Sequence, residues 1–309
     1  MSVDRALSTD SSVRPRGARE RGTLTGMDVV AVLAELGGVA RTRELMSAGC
    51  SHLAIRRAVD GGAAARVRKG LIALPDGDPA LTWAVHLGGE LTCVSALARH
   101  GVDQLRRSSV AHVGVASGFT TAQRRVRGVR LHYTKGRASL SPSRVASVAR
   151  ALDDAGRCLD ERAHLVAVDS ALHRGLVVPA DIAAMRASGR ARRDWLLACM
   201  DGRAESPGES LARLDCVERG LAVHPQRFIA GVGRVDLVVE DQVVVEVDGR
   251  AHHSDPEAFV RDRRRGRRVV GGGMPVLRFA AMEMLGTSPV DVGAEVEAFL
   301  GRRFPRTGG

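Results

Sequence analysis

The chain has 309 residues, with 46 Lys and Arg against 35 Asp and Glu, a formal net charge of +11 and a pI near 10.8. That length predicts two or three domains, and that charge favours a polyanionic partner such as nucleic acid. Apolar residues make up 44% and aromatics 3%, so the cores are aliphatic; no apolar run approaches the ~20 residues of a membrane span, and no apolar stretch of signal-peptide type opens the chain, which predicts a cytoplasmic protein without a membrane partner.

Residues 1–25 are polar and rich in Arg, Ser and Gly, the composition of a disordered basic tail. From 26 to 78 the pattern turns periodic. Val29, Val30, Val32, Leu33 and Leu36 form a short apolar helix stopped by Gly37–Gly38. A second helix begins near Arg41 and stops at Gly49; Ser51 is then a natural N-cap for a third, His52–Val59. Leu45, Ile55 and Val59 can pack inward while Arg56 and Arg57 point out, which is a helix-turn-helix. Residues 65–74 alternate and turn at Lys69–Gly70, like the wing of a winged helix. Gly38–Val–Ala–Arg, Arg56–Arg–Ala–Val and Arg66–Val–Arg–Lys–Gly–Leu resemble the N-terminal winged-helix domain of AbiEi-type antitoxins. Arg57, Arg66, Arg68 and Lys69 are the candidates for phosphate contact, with His52 and Arg56 placed to read bases. A winged helix used for protein packing is the competing reading.

The region 79–200 predicts a mixed α/β middle domain of the kind that follows the winged helix in such antitoxins. Leu81–His100 has a helical pattern, Val110–Val115 and Val129–Tyr133 read as short strands, and helices follow near 145–156, 161–174 and 180–188. Cys50, Cys93, Cys158, Cys199 and Cys216 are scattered, odd in number and without a C-x-x-C pair, so they read as reduced core residues and not as a zinc site or a disulfide framework. His100, His112 and His132 are equally dispersed and read as structural.

The segment 201–304 carries the densest chemistry. Ser206–Pro–Gly–Glu209 is a capping box with Pro at the first helical position. Two Val-rich strands flank Glu240–Asp241–Gln242 and hold Asp236, Glu246 and Asp248. A three-residue loop pairs Val239 with Val243 and brings Asp236 opposite Glu246 on one face, with Cβ atoms roughly 5 Å apart; Asp248 shares that face by the two-residue period. A two-residue loop would separate them. Acids gathered in this way suit a hard divalent cation, although the same spacing fits a plain surface hairpin whose acids face solvent. Gly249 then turns the chain to His252–His253, and a helix-like stretch from Pro256 carries Arg261, Arg263 and Arg264 among its six arginines, which suit phosphate contact.

Residues 206 to about 300 resemble the very-short-patch-repair-like branch of the PD-(D/E)XK nuclease superfamily: Ser206–Pro–Gly–Glu209, Arg234–Val–Asp236, Val245–Glu–Val–Asp–Gly249, His252–His253, Arg261–Asp–Arg–Arg264 and Val276–Leu–Arg278–Phe follow in order. The resemblance implies a mixed sheet flanked by helices of restriction-endonuclease type. It also implies Mg²⁺ or Mn²⁺ on Asp236 and Glu246, support from Glu209, and proton transfer at His252 or His253. One departure is clear. The superfamily's lysine is replaced by Asp248, and with only Lys69 and Lys135 in the chain, against 44 arginines (46 basic residues less 2), neither lysine is placed to substitute. The fold expected is therefore α/β of the multidomain α+β kind. Two functions follow: a DNA-tethered, metal-dependent endonuclease, or a non-catalytic DNA-binding regulator, an antitoxin or repressor that acts as a homodimer or with a cognate toxin.

Overall fold

The computed structural model describes residues 27–119, 127–134, 143–248, 274–286 and 289–303. The described residues form a mixed α/β architecture with three sheets. The first unit is α1 (Val29–Glu35), β1 (Val39–Arg41), α2 (Thr42–Ser47), α3 (His52–Asp60), β2 (Ala65–Arg68) and β3 (Leu71–Ala73). Local chemistry sets each boundary: the Asp28 carboxylate accepts from the Val30 N–H, and the Ser51 hydroxyl accepts from the Ala54 N–H at 3.1 Å. Three helices close over Leu33, Leu45, Ile55 and Ile72, and a small antiparallel sheet of order β1-β3-β2 completes a winged helix. Strand β1, absent from the sequence expectation, pairs with β3 and converts the expected hairpin into that sheet.

The opposite face of the sheet, through Val39, Leu71 and Ala73, joins the core of the middle region. Arg41 and Arg144 fasten the two: the Arg41 guanidinium donates to the Val85 and His86 carbonyls, and Arg144 pairs with Glu44.

The helix expected over 81–100 is broken in two. α4 (Pro79–Leu87) and α5 (Cys93–Arg99) are separated by β4 (Glu90–Leu91). Gly88 adopts φ 69 as a left-handed cap, and a Cβ on Gly89 would collide with the Gly114 carbonyl, so the glycine pair lets the chain dive under β5. The apolar period runs through the break and hides it. β5 (Ala111–Ala116) pairs in parallel with β6 (Val129–Thr134) and antiparallel with β4. α6 (Val148–Ala155), α7 (Glu161–His173), α8 (Pro179–Ala183) and α9 (Arg190–Cys199) follow, with α6 packed on α5 and the others on α6 and one another; the sequence pattern does not predict α9, because its Arg-rich character masks its few apolar positions.

His164 lies fully buried on α7, with Nε2 against the Leu152 carbonyl at 2.9 Å. Burial, helped by the nearby Arg192 guanidinium, holds its pKa down at about 4. The unfolded chain therefore takes up a proton near pH 6.5 that the folded chain refuses, and stability falls as pH drops from about 6.5 towards about 4. A loss of about 2–3 kcal/mol over that window is expected from this group. Denaturant titrations at several pH values check it: His164→Gln should flatten the slope, and an unchanged slope refutes the assignment.

The C-terminal unit begins with α10 (Pro207–Glu218), followed by β7 (Val223–Ile229), β8 (Gly233–Val239), β9 (Val243–Asp248), β10 (Val276–Ala280), α11 (Ala281–Leu285) and α12 (Val292–Arg303). The sheet has order β10-β9-β8-β7 and is mixed, with β10 parallel to β9 and the other pairs antiparallel. Leu237, Val239, Val243, Val245 and Val247 turn one face towards Leu211, Ala212 and Cys216 of α10 and Val296 of α12. Gly208 lets α10 lie on the sheet: a Cβ there would meet Val247 at 2.7 Å. Among the described residues, no helix is long and apolar enough to cross a membrane.

Candidate nucleic-acid interface

On α3 only Ile55 is fully buried, whereas His52, Leu53, Arg56 and Arg57 are exposed. Beside it, β2 leaves the core almost entirely: Arg66, Val67 and Arg68 are exposed, as is Lys69 in the turn, where Gly70 takes φ 73. The result is a helix and a wing that both turn basic side chains to the surface. That is the arrangement by which a recognition helix enters the major groove while a neighbouring wing meets the backbone.

The cations are not equivalent. Arg56 reaches Asp60 at 3.4 Å, with both side chains largely exposed, a pair of little net value that base or phosphate contact can displace. Arg68 lays its guanidinium over the Trp83 ring, 4.0 Å from the centroid, so it also fastens the wing to α4. Two residues that sequence reasoning passed over belong to the same surface. Leu53 is 57% exposed and Val67 42% exposed, and apolar side chains at such positions can touch thymine methyl groups. Nothing in their residue type marks them as surface, and only the burial pattern shows it.

The carboxylates lie far along the chain, on the C-terminal sheet. The β8–β9 register is Val239↔Val243, Val238↔Val244 and Leu237↔Val245, as the three-residue loop requires, and the pairing stops one residue short of Asp236 and Glu246. Glu240 and Asp241 turn this loop with φ of 53 and 54. The Glu240 carboxylate accepts from the Ala222 N–H at 2.6 Å, and Asp241 pairs with Arg227. Glu246 stands beside Val244 on β9, whose neighbour on β10 is Val276, and faces away from the cluster that packs under α10.

Both acids are engaged by protein groups. Asp236 Oδ2 accepts from the Val247 N–H at 2.8 Å, so the side chain continues the ladder where backbone pairing stops. Glu246 faces Arg278, its register partner on β10, at 3.3 Å. Asp248 is exposed at the end of β9. Glu209 is buried and turned inward: it accepts from the Glu205 N–H at 2.9 Å and from Gln226 Nε2 at 2.8 Å, while its own N–H donates to the Ser206 hydroxyl. Half of the expected capping box is thus present, its return bond going to residue 205. Gln226, at φ 55 within β7, is a partner that no sequence signal announced.

Among the described residues, no three of Glu209, Asp236, Glu246 and Asp248 bring their oxygens within 4.8 Å of one another. The acids as placed therefore do not make a three-ligand set for Mg²⁺ or Mn²⁺. His252, His253, Arg261, Arg263 and Arg264 lie outside the described residues.

Residues 27–75 match a family model described as transcriptional regulator, AbiEi antitoxin. The match coincides with the winged helix. No curated protein matches the chain. Among solved structures, the crystal structure of the RV2827C protein from Mycobacterium tuberculosis is similar, with 17% identity over 60% of this chain and 79% of that one, at a TM-score of 0.32.

Proposed function

We propose that this protein is a DNA-binding regulator of antitoxin or repressor type, in which the winged helix grips duplex DNA. One observation carries the reading. The segment that matches an antitoxin-type transcriptional regulator is the same one that turns His52, Arg56, Arg57, Arg66 and Lys69 outward from a helix and its wing. Phosphate contacts from the wing and from Arg57 position the domain, and the first turn of α3 reads the groove. The middle and C-terminal regions, with domain limits near 79–200 and 201–304, then serve a second partner, either a cognate toxin or a second copy of the chain.

A second reading, a metal-dependent endonuclease, is favoured by the closeness of Asp236 and Glu246 on the adjoining strands β8 and β9. Against it stand the Arg278 guanidinium on Glu246 and the backbone N–H on Asp236. One experiment separates the two: wild type and Asp236→Ala are incubated with plasmid DNA plus Mg²⁺, Mn²⁺ or a chelator, and DNA binding is measured in parallel. Under the regulator reading, both proteins bind with equal, salt-sensitive affinity and the plasmid stays intact. Metal-dependent nicking by wild type that vanishes in Asp236→Ala would overturn that reading in favour of the nuclease.

A further inference from the structure

The four side chains Cys93, His112, His132 and Cys158 converge in the middle region, with one potential ligand atom from each lying within 4.8 Å of all the others. They arrive from four separate places. Cys93 opens α5, His112 stands on β5, His132 stands on the parallel neighbour β6, and Cys158 follows the end of α6. The strand register pairs His112 with Arg130 and Gly114 with His132, so the two imidazoles share a face two residues apart. Cys93, His112 and His132 are buried and Cys158 is half-buried.

The geometry points to a metal. His112 Nδ1 lies 3.1 Å from His132 Nε2, and Cys158 Sγ lies 3.8 Å from the same Nε2. A tetrahedral zinc ion with bonds of about 2.0–2.1 Å to nitrogen and about 2.3 Å to sulfur holds its ligand atoms roughly 3.3–3.8 Å apart, so the existing separations need only small adjustments. The second shell is also present. His112 Nε2 faces the Ser108 hydroxyl at 3.4 Å, and that hydroxyl donates to the Val110 carbonyl, which leaves it free to accept the imidazole proton and to direct Nδ1 inward.

Cys93 starts a helix with φ 51, a left-handed conformation that is costly for a side chain other than glycine and that aims its sulfur at the group.

We propose that Cys93, His112, His132 and Cys158 form a structural zinc site of Cys₂His₂ type. Two thiolates and two imidazoles suit Zn²⁺ in preference to Mg²⁺ or Ca²⁺. All four positions are filled by protein, so the ion has no open place for water or substrate and acts as a cross-link. It ties the start of α5 and the exit of α6 to the β5–β6 pair, whose remaining neighbour in the sheet is the two-residue β4. The site is independent of the DNA surface and of the acids at 236 and 246.

The test uses the full chain, purified under reducing conditions without chelator. Elemental analysis is expected to find one zinc per chain, and exchange for Co²⁺ is expected to give thiolate-to-cobalt charge-transfer absorption in the near ultraviolet. Both signals should vanish in Cys158→Ala and His132→Gln and persist in Cys199→Ala, whose cysteine lies outside the cluster. A folded wild type that takes up neither Zn²⁺ nor Co²⁺ overturns the proposal; so does a cobalt spectrum without thiolate bands, a Cys93–Cys158 disulfide in the reduced preparation, or full zinc content in Cys158→Ala. If both cluster variants unfold, wild type alone decides. Chelation is expected to release zinc and render two more thiols reactive to a thiol reagent, and an unchanged thiol count sinks the site.

Discussion

Alanine at Arg57, Arg66 and Lys69 together is expected to weaken DNA binding roughly a hundredfold near 0.1 M salt, with little effect on folding. All three side chains are exposed, and none is needed for the core of the winged helix, which closes over Leu33, Leu45, Ile55 and Ile72. Each cation that meets a phosphate releases condensed counterions and adds about 0.9 to the steepness of log K against log salt. Removing three such cations makes the slope shallower by about 2.7, and the wild-type and variant affinities converge as salt rises. Fluorescence anisotropy on a labelled duplex over a salt series measures both quantities. A variant that keeps the wild-type slope would show that the basic face meets something other than DNA.

The same experiment separates positioning from reading. Replacing His52 or Leu53, in the first turn of α3, is expected to change the preference between duplexes while leaving the salt slope nearly intact, because base-edge and methyl contacts release few counterions. Arg68 belongs to neither group alone: its stacking on Trp83 means that Arg68→Ala loosens the wing as well as removing a charge.

The parts of this protein that could be anticipated are those fixed by neighbours in sequence. Ser51 as an N-cap, the Gly37–Gly38 and Gly49 stops and the Lys69–Gly70 turn determine the winged helix through local hydrogen bonds and φ alone. The β8–β9 register followed from loop length in the same way. What escaped depends on distant partners. The metal-like cluster draws one residue from each of four segments, so no spacing rule could assemble it, and its cysteines looked like ordinary core. The engagement of Asp236 with the Val247 N–H, of Glu246 with Arg278 and of Glu209 with Gln226 depends on where the ladder ends, on a parallel neighbour more than 20 residues downstream (residues 248 to 276) and on a residue of β7 in a left-handed conformation. Those partners decide whether an acid is a ligand or a structural element, which the residue types leave open.

Arg213→Met is expected to destabilise the protein by about 3–5 kcal/mol, because it strips the partner from a buried charge. Arg213, on α10, and Asp169, on α7, form an ion pair at 3.0 Å with almost no solvent access to either side chain. Asp169 also accepts from the Asp201 N–H at 2.8 Å, so it cannot turn away to water. Together with Arg162–Asp215 at 2.6 Å and the burial of Val166 against Leu211, this pair docks the C-terminal sheet onto the middle region. In sequence both residues look like ordinary solvated helix positions.

Burial already pushes the Asp169 carboxyl up to about 6, against the pull of Arg213. Without the arginine it rises further, and a carboxyl whose folded pKa exceeds its unfolded value loses stability as pH increases through that interval. The deficit of Arg213→Met should therefore be smallest near pH 5 and grow towards pH 8. Denaturant unfolding at the two pH values measures it, and a deficit independent of pH would mean that poorer packing, not the stranded charge, dominates. The Asp169→Asn, Arg213→Met double variant keeps an oxygen for the Asp201 N–H and removes the charge, so it is expected to recover more than half of the loss at pH 8 and to show strong non-additivity. Simple addition of the two single effects would rule out the pair as the element that joins α7 to α10.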